Sequence, residues 1–596
     1  MGNCCFKKIE GRPLGQDLKN NLKLLRHHLE LSKLDGFLVP MSDPFQNEMV
    51  SPHFNRVHFL SHFTGSAGVV LVMQDKAVLF TDGRYTIQAG EEVDSSLFEV
   101  KGHWLQALHP FLKEYGNILL RIGFDPWTLT VAQMNRLKST GITWISCVTN
   151  PVDSLWQDRP SQPWAPLTIH EKQFAGASSL SKRQKIAQEL VAQNLDSFIL
   201  TTGDSLAWLL NIRGGDVSHT PIPFAHSVLH KTGAVDLFID LKKVSEPVKA
   251  FLGVDVTLHS LEDLANILKN LNRVGFDPQS TPLAMVEMLK EGIIAKDPCL
   301  LPRACKNAVE QEGARQCHLV DGVALTKFLY FLHRHSYDDG LDEMQAVGKL
   351  ESCRAAGQYY QGNSFETISA AGPHSAWCHY HTKDHTNIPL QKGDIYLVDS
   401  GGQYLNGTTD VTRTVILGGV ATPEQKNHYT RVLKGHIAVS TVKFPKGTTG
   451  THLDSLARQY LWEVGLDFPH GTGHGVGSYL SVHEGPQGIT PRFIDVPLMP
   501  GMILSNEPGY YLEGHYGIRL ENLILVQECK DFKGFLEFEN LTWAPFDINL
   551  IDFELLSLKE KKWLQRYHES VLKLVGPSLS KEERQWVEGS VEIFSI

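Results

Sequence analysis

The stretch GDIYLVDSGGQYLNGTTDVTRT, residues 393–414, carries two carboxylates at the edges of apolar runs. Asp399 directly follows the run Ile395–Val398, and Asp410 lies eleven residues further on, after a glycine-containing turn. Short apolar runs bounded by turn residues are typical of β-strands, and two such strands joined by a turn form a hairpin. We therefore expect a hairpin that presents both carboxylates to one point.

Three more candidate ligands follow in comparable settings. His474 lies in HGTGHGVG, Glu507 in LSNEPGYY and Glu521 in GIRLENLILV. A single acid at a strand end is typical of a turn, but four carboxylates beside apolar strands need positive charge to offset their repulsion. Arg413 and Arg519 would offset only part of it. Four oxygen ligands and one imidazole favour divalent ions such as manganese or cobalt over a thiolate-rich zinc site.

The amino-terminal half contains an internal duplication. DGFLVPMSDPF from Asp35 recurs as DSFILTTGDSL from Asp196, and GFDP occurs at 123–126 and again at 275–278. Two further matches lie between these strings in the same order. Collinear recurrence indicates two copies of one fold, each an α/β unit of about 150 residues.

The domain boundaries are predicted from changes in pattern. LWQDRPSQPWAP is a polar, turn-rich stretch typical of a linker. A long amphipathic helix is predicted after about residue 303, and LIDFELLSLKEKKWLQRYHESVLKLV is predicted to form one capped helix. We expect a first unit at 1–160, a second unit at 161–302, a third domain at 303–540 that contains the five candidate ligands, and a carboxy-terminal extension of it at 541–596.

The strings resemble those of one known family. DSGG, HGTGHGVG, NEPGYY and IRLEN, in this order, resemble the metal-binding motifs of the pita-bread metallopeptidases, and FTGSAG, TDGRY, LWQDRP and WLLNIRGGD resemble the amino-terminal domains of the three-domain aminopeptidase P family. The resemblance covers nearly the whole chain. It implies an α/β (α+β) fold with two creatinase-like amino-terminal domains and a pita-bread catalytic domain. It also implies removal of the amino-terminal residue from peptides with proline at the second position.

The resemblance assigns a role to each of the five ligands. Asp399 would hold one metal ion, Asp410 and Glu521 would bridge two, and His474 and Glu507 would complete the shell of the second ion. A hydroxide between two divalent ions, preferably Mn²⁺, would attack the carbonyl that precedes proline. Glu507 would also carry the proton to the leaving nitrogen.

Three further histidines match substrate-facing positions of the family. His379 lies in WCHYH, His470 opens HGTGH and His483 lies in SVHEGP. The resemblance implies that these three residues bind the substrate and act in catalysis, by donating hydrogen bonds to the carbonyl oxygen or to the tetrahedral intermediate.

Two other polar residues are expected near the metals. Arg519 precedes Glu521 by two residues, so in a strand both side chains lie on one face. We expect Arg519 to orient the bridging carboxylates or the substrate. Tyr511 matches a family position near the metal site and is expected to contact the substrate. His374 and His381 match no motif and are expected to be structural.

The chain also departs from the family pattern. Phe45 in SDPFQNE stands where the family usually carries histidine, and His381 stands where a proline is common. Neither residue is an expected ligand. The departures therefore concern the substrate channel, to which the first unit would contribute, and not the metal site.

Several other functions share parts of this pattern. Prolidase-like dipeptidases and methionine aminopeptidases can use a similar ligand set, but the duplicated half and the length of the chain disfavour both. Creatinase does not retain the metal ligands. A non-catalytic peptide-binding or histone-binding module on this fold would lose ligands, whereas all five are present here.

Composition narrows the choice of partners. The formal net charge is −10, and no stripe of Lys and Arg is present, which disfavours a nucleic-acid partner because phosphate binding depends on clustered basic residues. The glycines of HGTGHGVG do not have the dinucleotide-binding spacing. The family implies a homodimer.

Composition also bears on location. No apolar run approaches the roughly 20 residues of a membrane span, so we expect no stable membrane insertion. Nine cysteines in no paired framework favour a reducing compartment, and we expect the cytoplasm. MGNCCF resembles a dual-acylation site, but Phe6 stands where a myristoylation signal requires Ser or Thr.

Overall fold

The structure, a computed structural model, describes residues 14–114, 120–138, 142–337 and 340–593. The first unit has six strands: β1 (Gly36–Pro40), β2 (Val69–Met73), β3 (Ala77–Phe80), β4 (Glu99–Lys101), β5 (Arg121–Phe124) and β6 (Thr143–Ser146). Its helices are α1 (Leu14–Leu31), α2 (Arg56–Ser61), α3 (Thr86–Glu92), α4 (Trp104–Glu114), α5 (Val131–Lys138) and α6 (Pro151–Leu155). The strands form one sheet in the order β4-β3-β2-β1-β5-β6.

The second unit repeats this plan. Its strands are β7 (Thr168–Ile169), β8 (Ser197–Leu200), β9 (Ile212–Arg213), β10 (Ala225–His230), β11 (Val235–Ile239), β12 (Val256–His259), β13 (Val274–Phe276) and β14 (Gly292–Ile294). Its helices are α7 (Lys172–Ala175), α8 (Ser179–Ala192), α9 (Gly203–Leu210), α10 (Glu246–Leu252), α11 (Leu264–Leu268), α12 (Leu283–Glu287) and α13 (Leu300–Ala304). Six of the strands form a sheet in the order β12-β11-β10-β8-β13-β14.

The two sheets match strand for strand. In the first, β1 pairs antiparallel with β2 and parallel with β5, and in the second β8 pairs antiparallel with β10 and parallel with β13. The outer pairs β3–β4 and β11–β12 are both parallel, as are β5–β6 and β13–β14. The duplication predicted from the sequence is therefore confirmed.

The catalytic domain surrounds its strands with long helices. The helices are α14 (Ala308–Arg334), α15 (Glu343–Ala355), α16 (Pro423–Thr441), α17 (Thr451–Trp462), α18 (Leu558–Leu574) and α19 (Lys581–Glu592). The strands are β15 (Tyr360–Asn363), β16 (Ile368–Ala371), β17 (Ile395–Ser400), β18 (Gly402–Tyr404), β19 (Gly407–Thr408), β20 (Val411–Ile416), β21 (Phe444–Pro445), β22 (Gly473–Gly475), β23 (Glu484–Ile489), β24 (Ile503–Asn506), β25 (Gly509–Leu512), β26 (Tyr516–Arg519), β27 (Asn522–Glu528) and β28 (Phe535–Asn540). The long helix predicted after residue 303 is α14, which begins at a capping box formed by Asn307 and Glu310.

An apolar contact joins the first two units. Phe45 is buried in the core of the second unit, where its ring stacks on Phe224 with centroids 4.7 Å apart. His226 stacks on Phe45 as well, at 4.9 Å. An aromatic hydrocarbon ring suits this buried position, which gives a physical reason for the departure at Phe45.

The carboxy-terminal extension differs from the single helix predicted. Two short 3₁₀ turns at 548–550 and 553–555 come first, and α18 begins only after Ser557, whose side chain caps it. Leu555 therefore lies before the helix, and Leu558 is exposed. Leu564 and Tyr567 are buried in the catalytic core, so α18 packs on its own domain. The boundaries of the four segments remain predictions.

The structure bears on three features that concern location: the amino-terminal segment, membrane-spanning helices and disulfides. The segment MGNCCF lies outside the described residues. Within the described ranges, no helix is both long and apolar enough to cross a membrane. The seven cysteines in these ranges form no disulfide with one another.

Candidate active site

Strands bring the five expected ligands to one place. β17 and β20 pair antiparallel with Asp399 opposite Thr412, and Asp410 immediately precedes β20. The predicted pairing is correct, although the chain forms the small β18–β19 hairpin after β17 and before β20. The remaining ligands are His474 on β22, Glu507 directly after β24, and Glu521 between β26 and β27.

The ligand atoms are close enough to share metal ions. One ligand atom each from Asp410, His474 and Glu521 lies within 4.8 Å of the other two. Nε2 of His474 is 3.4 Å from Oδ2 of Asp410 and 3.4 Å from Oε1 of Glu507. Oδ1 of Asp399 is buried and accepts no hydrogen bond from any described residue.

The cluster is strained electrostatically. Burial raises the pKa of Glu507 to about 7 and also raises the pKa values of Asp399 and Glu521, with the neighbouring Asp410 charge adding in each case. Burial opposes protonation of His474, but its contact with Asp410 and the charge of Glu507 outweigh this and raise its pKa to about 9. These shifts express a shortage of positive charge among buried carboxylates.

Divalent cations would relieve that shortage. The set offers four carboxylates and one imidazole, and the free oxygen of Asp399 is an acceptor without a donor. Oxygen-rich sets with one nitrogen suit borderline divalent ions. The residues present therefore fit a pair of divalent metal ions.

Neighbouring side chains orient the ligands. The hydroxyl of Thr412 donates to Oε2 of Glu521 at 2.8 Å, and the hydroxyl of Ser505 donates to Oε1 of Glu507 at 3.1 Å. Second partners of this kind fix the rotamers of metal ligands. Neither Thr412 nor Ser505 was identified from the sequence, although each lies within two residues of a ligand.

The two arginines near the cluster have different tasks. Arg519 donates to Oδ2 of Asp399 at 2.6 Å, and its role toward the bridging carboxylates or the substrate stays a prediction. Arg413 donates to backbone carbonyls, including that of Glu521 at 2.6 Å, and to the hydroxyl of Tyr567 at 2.9 Å. Arg413 thus supports the backbone beneath the site, and Arg519 offsets charge within it.

A hydrogen-bonded chain links His470 to the cluster. The Tyr511 hydroxyl lies 2.8 Å from Nε2 of His470 and accepts a hydrogen bond from Arg519 at 2.7 Å. Burial and the charge of Arg519 lower the pKa of His470 to about 3, so its ring is neutral. Its Nδ1 lies 2.7 Å from the carbonyl of Gly471. The consistent arrangement has Nδ1–H donating to this carbonyl and Nε2 accepting from Tyr511.

His379 and His483 are held by the first unit. The Tyr85 hydroxyl lies 3.1 Å from Nδ1 of His379, and Oε1 of Glu48 lies 2.8 Å from Nδ1 of His483. The rings of His483 and His474 are perpendicular, with centroids 4.3 Å apart. Burial, followed by the charge of Arg84, lowers the pKa of His379 well below its usual range.

The first unit therefore supplies residues that the sequence did not identify. Glu48 lies in SDPFQNE, and Arg84 and Tyr85 lie in TDGRY. These strings carried the family resemblance, but local sequence gave no reason to place them against residues nearly 300 or more positions away. A cavity of about 180 Å³ at this junction is lined by residues of both parts, among them Arg84, Gln88, Trp377, His379, Pro469 and Tyr511.

His374 and His381 have carboxylate partners outside the ligand cluster. Nδ1 of His374 lies 3.0 Å from Oε1 of Glu343, and its ring stacks on Tyr380 at 4.4 Å. His381 lies 3.4 Å from Glu366. These contacts agree with the structural role expected for both residues.

Family models match four consecutive stretches of the chain. Two models described as the creatinase/prolidase N-terminal domain match residues 21–153 and 158–310. The model for metallopeptidase family M24 matches residues 312–528, and one for the C-terminal region of this peptidase matches residues 534–592.

Named relatives match along the full length. A probable Xaa-Pro aminopeptidase P of Coprinopsis cinerea is 37% identical over 96% of this chain and 98% of its own. Aminopeptidase P1 of Arabidopsis thaliana is 35% identical, with 94% and 97% covered. The crystal structure of X-prolyl aminopeptidase from Caenorhabditis elegans, described as a cytosolic enzyme with a di-nuclear active site, has 32% identity, a TM-score of 0.91, and coverage of 96% and 99%. This chain therefore belongs to the aminopeptidase P family of M24 metallopeptidases.

Proposed function

We propose that this chain is a dinuclear metalloaminopeptidase that cleaves the peptide bond between an amino-terminal residue and a following proline. The observation that carries the proposal is the cluster of Asp410, His474 and Glu521, whose ligand atoms lie within 4.8 Å of one another, with Glu507 3.4 Å from His474 and Asp399 near enough for the Asp410 charge to raise its pKa. A non-catalytic module would have no need of this costly cluster. Full-length similarity to proteins named Xaa-Pro aminopeptidase P supports the substrate class.

We propose terminal and bridging positions for the five ligands. Asp399 would hold one ion, Asp410 and Glu521 would bridge, and His474 and Glu507 would complete the second ion's shell. When bound, two divalent ions lower the pKa of water and polarise a carbonyl oxygen. We favour Mn²⁺ because one imidazole among oxygen ligands suits it.

Glu507 is the residue proposed to move the proton. One of its oxygens, Oε1, accepts a hydrogen bond from Ser505 and lies 3.4 Å from His474. A carboxylate fixed in this way can take a proton from the attacking water and return it to the leaving proline nitrogen. The fixed rotamer keeps the transfer distance short.

The histidines are proposed to stabilise the substrate oxygen. If the Tyr85 hydroxyl donates to Nδ1 of the neutral His379, the proton of that ring is on Nε2, which can then donate to a carbonyl oxygen. Glu48 accepts from Nδ1 of His483, so Nε2 of that ring would donate to the substrate oxygen in the imidazolium form, whose charge the Glu48 carboxylate offsets. Both ring nitrogens of His470 have partners within the site, so His470 would act by holding the Tyr511 hydroxyl, and Tyr511 and Arg519 would face the substrate.

Assembly and location are part of the proposal. We propose a homodimer, as a two-fold dimer is the commonest form of a homo-oligomer, and a cytosolic location. The description of the Caenorhabditis elegans relative as cytosolic supports the location.

A pair of tripeptides tests the activity. The Mn²⁺-loaded protein is expected to release free arginine from Arg-Pro-Pro and little from Arg-Ala-Ala, as measured by mass spectrometry. The Asp410→Ala variant serves as the control for contaminating peptidases. Release from Arg-Ala-Ala alone would refute the proposed specificity.

A further inference from the structure

The segment 477–484, which we call the His483 segment, lies beside the active site and is held by another part of the chain. Residues 476–483 form no helix or strand. The one backbone hydrogen bond that closes the segment on itself runs from Gly477 N to the Ser481 carbonyl, at 3.0 Å. Tyr479 adopts a left-handed conformation with φ of 50°, which costs energy for a residue with a side chain and persists only where surroundings enforce it.

The second unit supplies those surroundings. Asp204, in the first turn of α9, accepts hydrogen bonds from Ser481 through both oxygens: from the backbone N–H at 2.9 Å and from the hydroxyl at 2.7 Å. Arg213, which is buried, donates to the carbonyls of Tyr479 at 2.5 Å and Ser478 at 3.2 Å. Four polar groups of the segment are thus held by two charged side chains.

Further contacts fix the centre of the segment and its carboxy-terminal end. Leu480 is buried in the apolar core of the second unit. At the carboxy-terminal end, Glu484 pairs with Arg303 at 3.2 Å and with Lys306. Both of these basic residues lie near the junction between the second unit and the catalytic domain. His483 lies between these anchors, and its own side chain contacts Glu48 of the first unit.

We propose that the second unit acts as a clamp for the His483 segment, and that Asp204 and Arg213 are positioning residues for the reaction. The argument rests on the proposed role of His483 at the substrate carbonyl. A group that stabilises charge in a transition state must be held within a fraction of an ångström, and a shift of 1 Å costs about a hundredfold in rate. The five expected metal ligands lie outside the His483 segment: Asp399 and His474 are on the paired strands β17 and β22, and the other three are next to strand ends.

The central experiment is a double-mutant cycle between Asp204 and His483. Asp204→Ala is expected to lower kcat by about tenfold to a hundredfold while KM, bound metal and Tm change little. Asp204→Asn keeps an oxygen for the Ser481 amide and is expected to restore most of the loss. In the His483→Ala background, Asp204→Ala should lower kcat much less than in the wild type.

The matched control is Glu246→Ala, which removes an exposed carboxylate from the first turn of α10 in the same unit. It is expected to leave kcat unchanged. Ser481→Ala removes one of the two bonds to Asp204 without altering the second unit, and should lower kcat by a smaller factor. This variant replaces Asp204→Ala if the latter does not fold.

A measurement without substrate separates the clamp from the reaction. Hydrogen exchange of metal-loaded protein is expected to rise at the amides of 478–483 in Asp204→Ala and to stay at the wild-type level in Glu246→Ala. Equal kcat losses from Asp204→Ala in the wild-type and His483→Ala backgrounds, or unchanged exchange at 478–483, would overturn the clamp. Full activity of His483→Ala would instead contradict the proposed role of His483 and leave the exchange result as the test of the clamp.

Discussion

At the scale of single residues, the proposed site separates metal holding from oxygen stabilisation. Asp410→Ala or Glu521→Ala removes a carboxylate that is proposed to bridge the two ions, so both bound metal and activity should be lost. His483→Ala should keep two ions per chain and lose about 3 kcal/mol of transition-state stabilisation, roughly a hundredfold in kcat. Metal analysis beside kinetics checks this, and loss of metal from His483→Ala would contradict the division.

The hydroxyl of Tyr85 should matter through His379. Tyr85→Phe keeps the ring and removes the group that lies 3.1 Å from Nδ1. A hydrogen bond of this kind is worth about 1 kcal/mol, so kcat/KM should fall by roughly fivefold at unchanged metal content. Phe63→Leu, a change in the ring beside Tyr85, serves as a packing control. An unaltered kcat/KM in Tyr85→Phe would remove the hydroxyl from the mechanism.

Removal of the metal should make stability depend on pH. Without metal, Glu507 ionises near pH 7 when folded and near 4.5 when unfolded, so the stability it contributes is full below 4.5 and is lost as pH rises through 7. His474 changes the stability in the same direction. Its pKa is about 9 when folded and 6.5 when unfolded, so the stability it contributes is full below pH 6.5 and is lost as the pH rises through 9. The Tm of the chelated protein should therefore fall between pH 5 and 9.

Two comparisons identify the source of that fall. Saturating Mn²⁺ should remove most of it, because bound ions favour the ionised carboxylates and the neutral imidazole. Glu507→Gln should flatten the lower part of the curve in the chelated protein. A Tm of the chelated wild type that does not change with pH would contradict the electrostatic account. In the same preparations, chelation should abolish activity, and Mn²⁺ or Co²⁺ should restore it better than Mg²⁺.

At the scale of elements, α18 shows how a cap sets where a helix begins. Ser557 and Glu560 satisfy each other's backbone amides in a capping box. Ser557→Ala should cost about 1 kcal/mol and lower the Tm of the catalytic domain, with activity unchanged. Ser570→Ala, in the same helix and facing solvent, should leave the Tm within error. Equal Tm values for the two variants would show that the cap contributes nothing.

The same element shows where sequence reasoning failed. The apolar residues Leu555, Leu556 and Leu558 suggested that the helix had already begun, but Asp552 caps a separate 3₁₀ turn, and the pair Ser557 and Glu560 marks the true start. That capping signal was present in the sequence. For β17 and β20, by contrast, the apolar run ending in Asp399 and the glycine-containing turn before Asp410 were sufficient to predict the pairing.

At the scale of the whole molecule, short sequence motifs indicated the domains but not the contacts between them. The duplication could be read from the sequence and the five ligands could be proposed from it, because each depends on a short pattern. The contacts of Glu48 with His483 and of Asp204 with Ser481 join residues 435 and 277 positions apart. No periodicity or motif encodes such distances, so the contributions of the first two units to the site required the folded chain.

The assembly can be tested on the intact protein. A homodimer is expected by sedimentation velocity at micromolar concentration. Because α18 packs its apolar face on its own domain, substitutions at Leu564 should destabilise each chain. Such substitutions therefore cannot be used to dissociate a dimer selectively. A monomer that cleaves Xaa-Pro peptides would remove the dimer and leave the catalytic proposal intact.

The clamp on the His483 segment also has a consequence for biosynthesis. The ribosome releases both duplicated units before it makes residues 477–484, and domains made first generally fold first. Asp204, Arg213 and Glu48 are therefore already in place on a folded template when the segment emerges. In a circular permutant that begins at the catalytic domain, residues 477–484 would be synthesised before the two duplicated units. During translation this permutant should become active later than the natural chain.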